Sequence, residues 1–273
     1  MTFPCRSLCR LFAVAAIGAL AALPRSPAAE EMVKFHPALL RSNDARDPGR
    51  PDVLGYLTRP KGVGPFPSVI LLHSCLGLPA NRRAIANAIA DWGYVALFVD
   101  DFTTRSLKET CSVDFGEALP DAYGALLYLS RLSDIDSTRI AAVGYSQGAD
   151  TALKIASTRF ASEFAVPANL RFKAAAAFYP PCANLTGVKL EMPTLILLGE
   201  LDDVTPIADC RALAAENRSL VRLVGYPGAY HLFDNPAFAK AGRLFGMMLK
   251  YDQTAADKSQ ADLRNFLAAE FAR

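Results

Sequence analysis

Short apolar runs that alternate with helical patterns constrain the fold more than any other feature of this 273-residue sequence. The runs lie at residues 53–58, 68–73, 94–100, 140–145, 174–179, 194–198 and 221–226. Most are almost continuously apolar, which is typical of parallel strands covered on both faces. Helical periodicity separates them, for example at Ile85, Ile89 and Trp92. The alternation predicts an α/β fold with one mainly parallel, twisted sheet and helices on both faces.

The flanking parts of the chain are assigned more coarsely. Residues 29–52 contain closely spaced Asp, Pro and Gly residues and predict an irregular lead-in. Residues 53–273 form the predicted single domain, and a helical pattern, continuous or broken, covers about 241–271. Ligands of open α/β sheets bind beyond the carboxyl ends of the strands. The residues that follow each run are therefore the candidates for chemistry.

The N-terminus has the three-part layout of a secretory signal peptide. Arg6 and Arg10 precede an apolar stretch at 11–23, and small residues follow around Ser26 and Ala28. A helix of that length reaches about 20 Å, less than the roughly 30 Å hydrocarbon core of a bilayer. We expect residues 1–28 to be cleaved off, leaving an exported protein, periplasmic or secreted, without a permanent membrane span. An uncleaved anchor or a buried helix is the alternative.

Charge and residue spacing argue against several classes of function. The chain has 29 Lys and Arg against 27 Asp and Glu, and no basic run long enough to follow a phosphate backbone. A nucleic-acid partner is therefore not expected. Only three histidines occur, and neither a Cys-x-x-Cys nor a His-Glu-x-x-His spacing is present. No metal and no other cofactor is expected.

A candidate nucleophile lies where one run passes directly into a helical stretch. The motif Gly-Tyr-Ser-Gln-Gly at 144–148 ends the run at 140–145. It matches the nucleophile elbow, in which a tight strand-to-helix turn strains the serine backbone and flanking glycines allow close approach. A plain surface turn is the alternative, but the strand and helix around the motif favour Ser146 as the nucleophile.

A serine hydroxyl needs a base, and the base needs an acid that orients it. His231 follows the run at 221–226 in a glycine-containing loop and is favoured as the base. Asp202 and Asp203 both follow the run at 194–198, and either could serve as the acid. Serine, then aspartate, then histidine is the chain order of the α/β-hydrolases.

Donors for a developing oxyanion are expected beside the elbow. The run at 68–73 continues into Ser-Cys-Leu-Gly, which places a loop there. The candidates are the backbone N–H groups of Gln147 and of either Cys75 or Leu76. Cys75 as the nucleophile is a rival interpretation, but it lacks the elbow context.

Over residues 53–270 the chain resembles the dienelactone hydrolase family of α/β-hydrolases. The resemblance rests on the segments 73–77, 100–105, 144–148, 199–206 and 226–233. It implies a single-domain α/β-hydrolase fold and a serine hydrolase that cleaves a small ester or lactone through an acyl-enzyme. It also implies Asp202 as the acid, and Cys75 and Gln147 as the oxyanion donors.

The chain departs from that family at three positions. The founding enzymes have a cysteine nucleophile where this chain has Ser146, and a glutamate where it has Ser74. They grip a substrate carboxylate with two arginines. Arg105 matches the first, which implies a substrate-binding role, although a solvated loop arginine is equally compatible; Asn235 occupies the second position. The departures argue against dienelactone itself and leave another small-molecule ester or lactone as the expected substrate.

The number of cysteines outside the leader is compatible with disulfide bonds in an exported protein. They are Cys5 and Cys9 in the leader, then Cys75, Cys111, Cys182 and Cys210. Four cysteines in an exported protein allow three full disulfide pairings, or four separate buried thiols. The fold resemblance implies a bond between Cys182 and Cys210. It also implies one between Cys75 and Cys111.

Two other functions stay open. A protein can keep a hydrolase fold and act only by binding a ligand, because fold alone does not dictate activity. An acyltransferase would use the same three side chains and pass the acyl group to an alcohol. Loss of one of the three side chains would be the sequence signature of a binding protein, and none is missing. The three side chains do not distinguish an acyltransferase from a hydrolase, because water and alcohol compete for the same intermediate.

Overall fold

The computed structural model describes residue 1 and residues 29–41, 49–113 and 115–273. The predicted signal peptide therefore lies, from residue 2 onward, outside the described residues, together with Cys5 and Cys9. Within the described parts of the chain, no helix combines the length and apolar character needed to cross a membrane.

The described residues form one large sheet, a separate two-stranded hairpin and several helices. The large sheet contains β1 (Glu30–Phe35), β2 (Val53–Thr58), β3 (Phe66–Leu72), β4 (Val95–Asp100), β5 (Ile135–Tyr145), β6 (Ala174–Phe178), β7 (Thr194–Gly199) and β8 (Val221–Tyr226). The hairpin consists of β9 (Gly242–Leu244) and β10 (Met247–Leu249). The helices are α1 (Arg82–Asp91), α2 (Ala118–Leu129), α3 (Gln147–Ile155), α4 (Thr158–Ala161), α5 (Ile207–Glu216) and α6 (Gln253–Phe271).

The strand order of the sheet is β1-β2-β4-β3-β5-β6-β7-β8. The first two pairings in this order are antiparallel, and the others are parallel. Alternate residues of β3 point to opposite faces, as strand geometry requires. Val69 packs in a core cluster with residues of α1 and α6, whereas Ile70 packs in a second cluster with residues of α2. The predicted mainly parallel α/β sheet with helices on both faces is confirmed.

The lead-in predicted to be irregular contains a strand. β1 pairs with β2 along its whole length, from Glu30 opposite Thr58 to Phe35 opposite Val53. Val33 and Phe35 are buried while Met32 and Lys34 are exposed, which is the two-residue alternation of a strand with one covered face. Charged residues on the exposed face, which are typical of edge strands, hid this pattern in the sequence.

The region from 241 to 271, predicted to be helical, is a helix only in α6. Residues 242–249 form the β9–β10 hairpin, whose two-residue loop is Phe245 and Gly246 with φ angles of 51° and 80°. Two consecutive left-handed residues cannot belong to a right-handed helix. Helix α6 begins after the hairpin, where the Asp252 side chain accepts a hydrogen bond from the N–H of Ala255 and caps the helix.

Candidate active site

Ser146 lies in the turn between β5 and α3, with φ of 53° and ψ of −110°. Few non-glycine residues adopt a positive φ, so the turn is strained, as in a nucleophile elbow. A side chain on Gly144 would overlap the carbonyl of Gly148, and one on Gly148 would overlap the carbonyl of Leu72. The N–H of Ser146 donates to the carbonyl oxygen of Phe178 at 2.9 Å. The two glycines are therefore required by direct backbone contacts.

The imidazole of His231 joins Ser146 and Asp202 in one line. Its Nε2 lies 3.0 Å from Ser146 Oγ, and its Nδ1 lies 2.7 Å from Asp202 Oδ2. Because an ionised carboxylate only accepts hydrogen bonds, Nδ1 carries the proton and Nε2 presents its lone pair to the hydroxyl. His231 is 1% exposed and Asp202 is 6% exposed, so this line is shielded from bulk water.

Asp202 is held in place by its own loop. Its Oδ1 accepts the N–H groups of Val204 and Thr205, each at 2.9 Å, and its Oδ2 accepts the Thr205 hydroxyl at 2.9 Å. These donors fix the carboxylate with one oxygen directed at His231. A carboxylate supported in this way can orient the imidazole and stabilise its protonated form.

Asp203 points the other way, towards the hairpin. Its Oδ1 accepts the N–H of Met248 at 3.2 Å, and its Oδ2 accepts Nη2 of Arg243 at 2.9 Å. The Met248 N–H, followed by Arg243, holds the pKa of this carboxyl below its ordinary value. Of the two aspartates that the sequence left open, the structure brings only Asp202 to His231.

The two expected oxyanion donors line the cavity that contains the candidate nucleophile. Gln147 is the first residue of α3, so its N–H has no acceptor inside the helix. In the loop after β3, the N–H of Leu76 donates to Ser74 Oγ at 3.3 Å, and the N–H of Gly77 donates to the Ser74 carbonyl at 3.0 Å. Because Leu76 is engaged in its own loop, Cys75 is the better placed of the two loop candidates.

Thr110 contacts both oxyanion candidates and was not singled out by any sequence pattern. Its hydroxyl donates to Gln147 Oε1 at 2.9 Å, and its N–H donates to the Cys75 carbonyl at 2.8 Å. The next residue, Cys111, is disulfide-bonded to Cys75. Thr110 therefore fixes Cys75 beside Gln147. Its position next to a paired cysteine is the one sequence signal that could have identified it.

Both disulfides implied by the family resemblance are present. Cys75 is bonded to Cys111, and Cys182 is bonded to Cys210. The first bond lines the cavity, whereas the second is buried between the turn after β6 and helix α5. The rival interpretation of Cys75 as a nucleophile is wrong, because its sulfur is part of a disulfide.

Arg105 does not reach the cavity. Its guanidinium donates to both carboxylate oxygens of Asp121, at 2.7 and 3.0 Å, and to the Asp101 carbonyl at 2.7 Å. The ring of Phe115, which lines the cavity, has its centroid 5.9 Å from the guanidinium carbon. The resemblance implies a substrate-binding role for Arg105, and the structure places its guanidinium in a buried ion pair with Asp121, outside the cavity lining.

The acids around Arg105 are buried close to one another. Burial raises the pKa of Asp101 to about 7, although the charge of Arg105 opposes the shift. Burial, together with the charge of Asp101, also raises the pKa of Asp121 above its ordinary value. Burial and close approach therefore disfavour the charged forms of these carboxyl groups.

A further acid lies behind the imidazole. The ring of Tyr179 packs 4.7 Å from that of His231, and its hydroxyl donates to Asp234 Oδ1 at 2.8 Å. Burial raises the pKa of Asp234 to about 6, against the opposing effect of the Tyr179 hydrogen bond. Tyr179 therefore supports the face of the imidazole and limits its rotation.

The cavity above the nucleophile has a volume of about 390 Å³. Its apolar lining includes Val113, Phe115, Leu119, Phe160 and Met247. Asp150 and Lys154 of α3 also line it and form an ion pair with 2.7 Å between Nζ and Oδ2.

Asn235, at the second family arginine position, lines a separate small cavity with His73. No cluster of three or more potential metal-ligating residues occurs in the parts of the chain described above.

Comparisons with known proteins agree with this geometry. The model of the dienelactone hydrolase family matches residues 53–271. The chain is 29% identical over 129 residues to Esterase FrsA of Klebsiella pneumoniae subsp. pneumoniae, covering 46% of this chain and 30% of that protein. It is 26% identical over 154 residues to Cutinase 1 of Thermobifida cellulosilytica, covering 56% of this chain and 55% of that protein. It thus spans about half of these relatives or less.

Among solved structures, a similar fold occurs in the dienelactone hydrolase-like promiscuous phosphotriesterase P91 from metagenomic libraries. The TM-score is 0.68 at 20% sequence identity, covering 89% of this chain and 99% of that chain. At this level of identity the likeness concerns the fold. It agrees with the strand order and the two-faced helix packing described above.

Proposed function

The chain belongs to the dienelactone hydrolase family, and we propose on this premise that it is a serine hydrolase of small carboxylic esters or lactones. The observation that carries the proposal is the hydrogen-bonded line from Ser146 through His231 to Asp202. This line ends at a cavity large enough for a small substrate. Relatives named as an esterase and a cutinase support an ester as the substrate.

The reaction begins when Ser146 Oγ attacks the acyl carbon while His231 Nε2 takes the hydroxyl proton. The carbonyl oxygen becomes an oxyanion, which accepts the N–H groups of Cys75 and Gln147. The imidazolium, stabilised by Asp202, then gives its proton to the departing alcohol oxygen. An acyl-enzyme remains. Water attacks it with the same base, and the acid is released as Ser146 regains its proton.

The charges that line the cavity favour a neutral substrate. Lys154 already forms an ion pair with Asp150, and Arg105 is held by Asp121. A substrate carboxylate would therefore find no uncompensated cation among the described lining residues. A matched pair of substrates tests this point: 4-nitrophenyl hexanoate and the adipate half-ester, in which a carboxylate replaces the terminal methyl. The neutral ester is expected to have a kcat/KM at least about tenfold higher; a preference for the half-ester would contradict this specificity.

Covalent labelling tests the serine mechanism. Ser146→Ala is expected to abolish both reaction with a fluorophosphonate probe and turnover of 4-nitrophenyl butyrate. The matched control is Ser219→Ala, because Ser219 is exposed and remote from the site, and it is expected to retain both. Labelling without turnover on any ester would instead favour a binding protein. Transfer of the acyl group to an added alcohol in preference to water would favour an acyltransferase.

The proposed location is outside the cytoplasm, in the periplasm or the medium. The N-terminal layout and the two disulfides support export, because structural disulfides form in oxidising compartments. Sequencing the N-terminus of the protein recovered from the periplasm or medium is expected to begin at residue 29 or 30. Full-length protein that stays in the cytoplasm with all six cysteines as free thiols would refute export.

A further inference from the structure

Exposed apolar side chains surround the cavity mouth. Val113 lines the cavity and is 62% exposed. Leu244 and Phe245, on the β9–β10 hairpin, are 40% and 51% exposed. Met247, which pairs with Leu244 across the hairpin, lines the same cavity. Val113 and the hairpin tip, Leu244 and Phe245, are therefore exposed apolar residues on two segments that contribute to the cavity lining, and together they are called the rim below.

Phe245 occupies a backbone position that suits it poorly. It is the first central residue of a two-residue hairpin loop and has a φ of 51°. Such loops favour Asn, Asp or Gly, because larger side chains meet steric repulsion at positive φ. Half of the side chain is exposed, so packing within this chain only partly offsets the strain. A strained and exposed aromatic residue beside a cavity indicates a role outside the folded monomer.

The hairpin is fixed to the loops that carry the catalytic line. Arg243 and the N–H of Met248 both bind the carboxylate of Asp203, the neighbour of Asp202. At the other end, Leu249 forms a β-bridge with His231. The tip is therefore presented at a defined position beside the nucleophile.

We propose that the rim formed by Val113, Leu244 and Phe245 docks onto the surface of an undissolved neutral ester, such as a droplet or an aliphatic polyester. This rests on the proposed ester hydrolysis. The occupant follows from continuity: Val113 of the rim and Met247, the cross-strand partner of Leu244, line the cavity that contains Ser146. A protein bound there would close the entrance, whereas a substrate phase would deliver an ester group into it. Docking would remove the exposed apolar area from water.

Two substrates with the same acyl group separate docking from chemistry. Dissolved 4-nitrophenyl butyrate measures the chemistry, and a tributyrin emulsion measures docking followed by chemistry. Phe245→Asn is expected to leave kcat and KM on the dissolved ester unchanged. It is expected to lower adsorption to the emulsion, and the rate on it, about fivefold to tenfold. Because Asn tolerates the left-handed region, its thermal midpoint is expected to equal or exceed that of the parent.

Val63→Asn is the matched control. Val63 is 96% exposed but lies before the start of β3, at the end of the strand opposite the cavity. It is expected to change neither rate. An unchanged emulsion rate for Phe245→Asn, an equal loss for Val63→Asn, or an equal loss on the dissolved ester would overturn the proposal. A parent dimer that Phe245→Asn converts to a monomer would overturn it as well.

Adsorption of the Ser146→Ala variant keeps the two proposals separate. This variant has no nucleophile, so its partition into pelleted tributyrin droplets measures docking alone. Adsorption that Phe245→Asn weakens in this background supports docking even if the parent hydrolyses no ester. A parent that turns over dissolved ester but does not adsorb refutes docking and leaves the proposed function intact.

Discussion

Two buried clusters of acid and base lie after strand ends of the same sheet, and they differ in what surrounds the base. In the first, which follows β7 and β8, the imidazole of His231 binds Asp202 with one nitrogen and faces Ser146 at the cavity with the other. In the second, which follows β4, the guanidinium of Arg105 donates to Asp121 and to the Asp101 carbonyl. Only the first directs a ring nitrogen at a side chain, Ser146, that lines the cavity.

The acids of the two clusters differ in their hydrogen-bond support. Asp202 accepts hydrogen bonds from its own loop before it meets the imidazole. Asp101 is buried with one carboxyl oxygen lacking a hydrogen-bond partner among the described residues, and burial raises its pKa. Position after a strand end is therefore insufficient to define a site. A site also needs a supported charge and a group that faces the cavity.

The largest expected effect is in the first cluster. Asp202→Asn is expected to lower kcat about 10³- to 10⁴-fold on dissolved 4-nitrophenyl butyrate, because an amide can favour the wrong imidazole tautomer. Asp203→Asn is the neighbouring control and is expected to cost less than about tenfold, since it loosens the hairpin only. Equal losses in the two variants would show that the comparison between the aspartates is wrong.

In the second cluster the expected effect is on stability. Asp121→Asn leaves the charge of Arg105 buried without its carboxylate, and it is expected to lower the free energy of unfolding in urea by about 3 kcal/mol. kcat/KM on the neutral ester is expected to stay within about twofold. The double variant Arg105→Met with Asp121→Leu is expected to regain part of the stability. A selective loss of activity on the adipate half-ester, at unchanged stability, would restore Arg105 as a substrate ligand.

Thr110 lies between Arg105 and Asp121 in the chain and binds Gln147, the residue after Ser146, so it sharpens the comparison. Thr110→Val keeps the size of the side chain and the backbone bond to Cys75, but it removes the hydroxyl that binds Gln147. We expect kcat to fall about tenfold with KM unchanged, because misplaced oxyanion donors weaken transition-state binding. Thr110→Ser restores the hydroxyl and is expected to behave like the parent. A matching loss in both variants, or a rise in KM alone, would argue against a positioning role.

A change in pH dependence is expected as well. The carboxyl of Asp101 has an ordinary pKa of 3.8, and its pKa in the fold is about 7. Between these values the folded chain binds the proton more tightly, so this group's contribution to stability is greatest at low pH and is lost as the pH rises to about 7. Asp101→Asn is expected to remove this decline, by at most about 1.4 kcal/mol per pH unit. Urea unfolding from pH 4 to 8, with Asp203→Asn as the exposed control, measures it; an unchanged slope would contradict the raised pKa.

Local pattern was sufficient for much of the fold. The parallel strands are apolar because both of their faces are covered, so their composition identifies them without knowledge of their neighbours. The strand β1 and the β9–β10 hairpin were missed for the opposite reason. Each has one exposed face, and its conformation is fixed by pairing with another strand or by left-handed loop residues.

The sequence by itself determined the parallel strands, the strand-to-helix turn around Ser146 and the chain order of serine, aspartate and histidine, because these features are recorded by local pattern and by position along the chain. Tertiary structure alone decided that Arg105 pairs with Asp121 and that Thr110 binds Gln147, and it brings Asp202, the acid implied by the family resemblance, to His231. These contacts join residues from separate strand ends. Their distances depend on the order of the strands in the sheet, and no local periodicity in the sequence records that order.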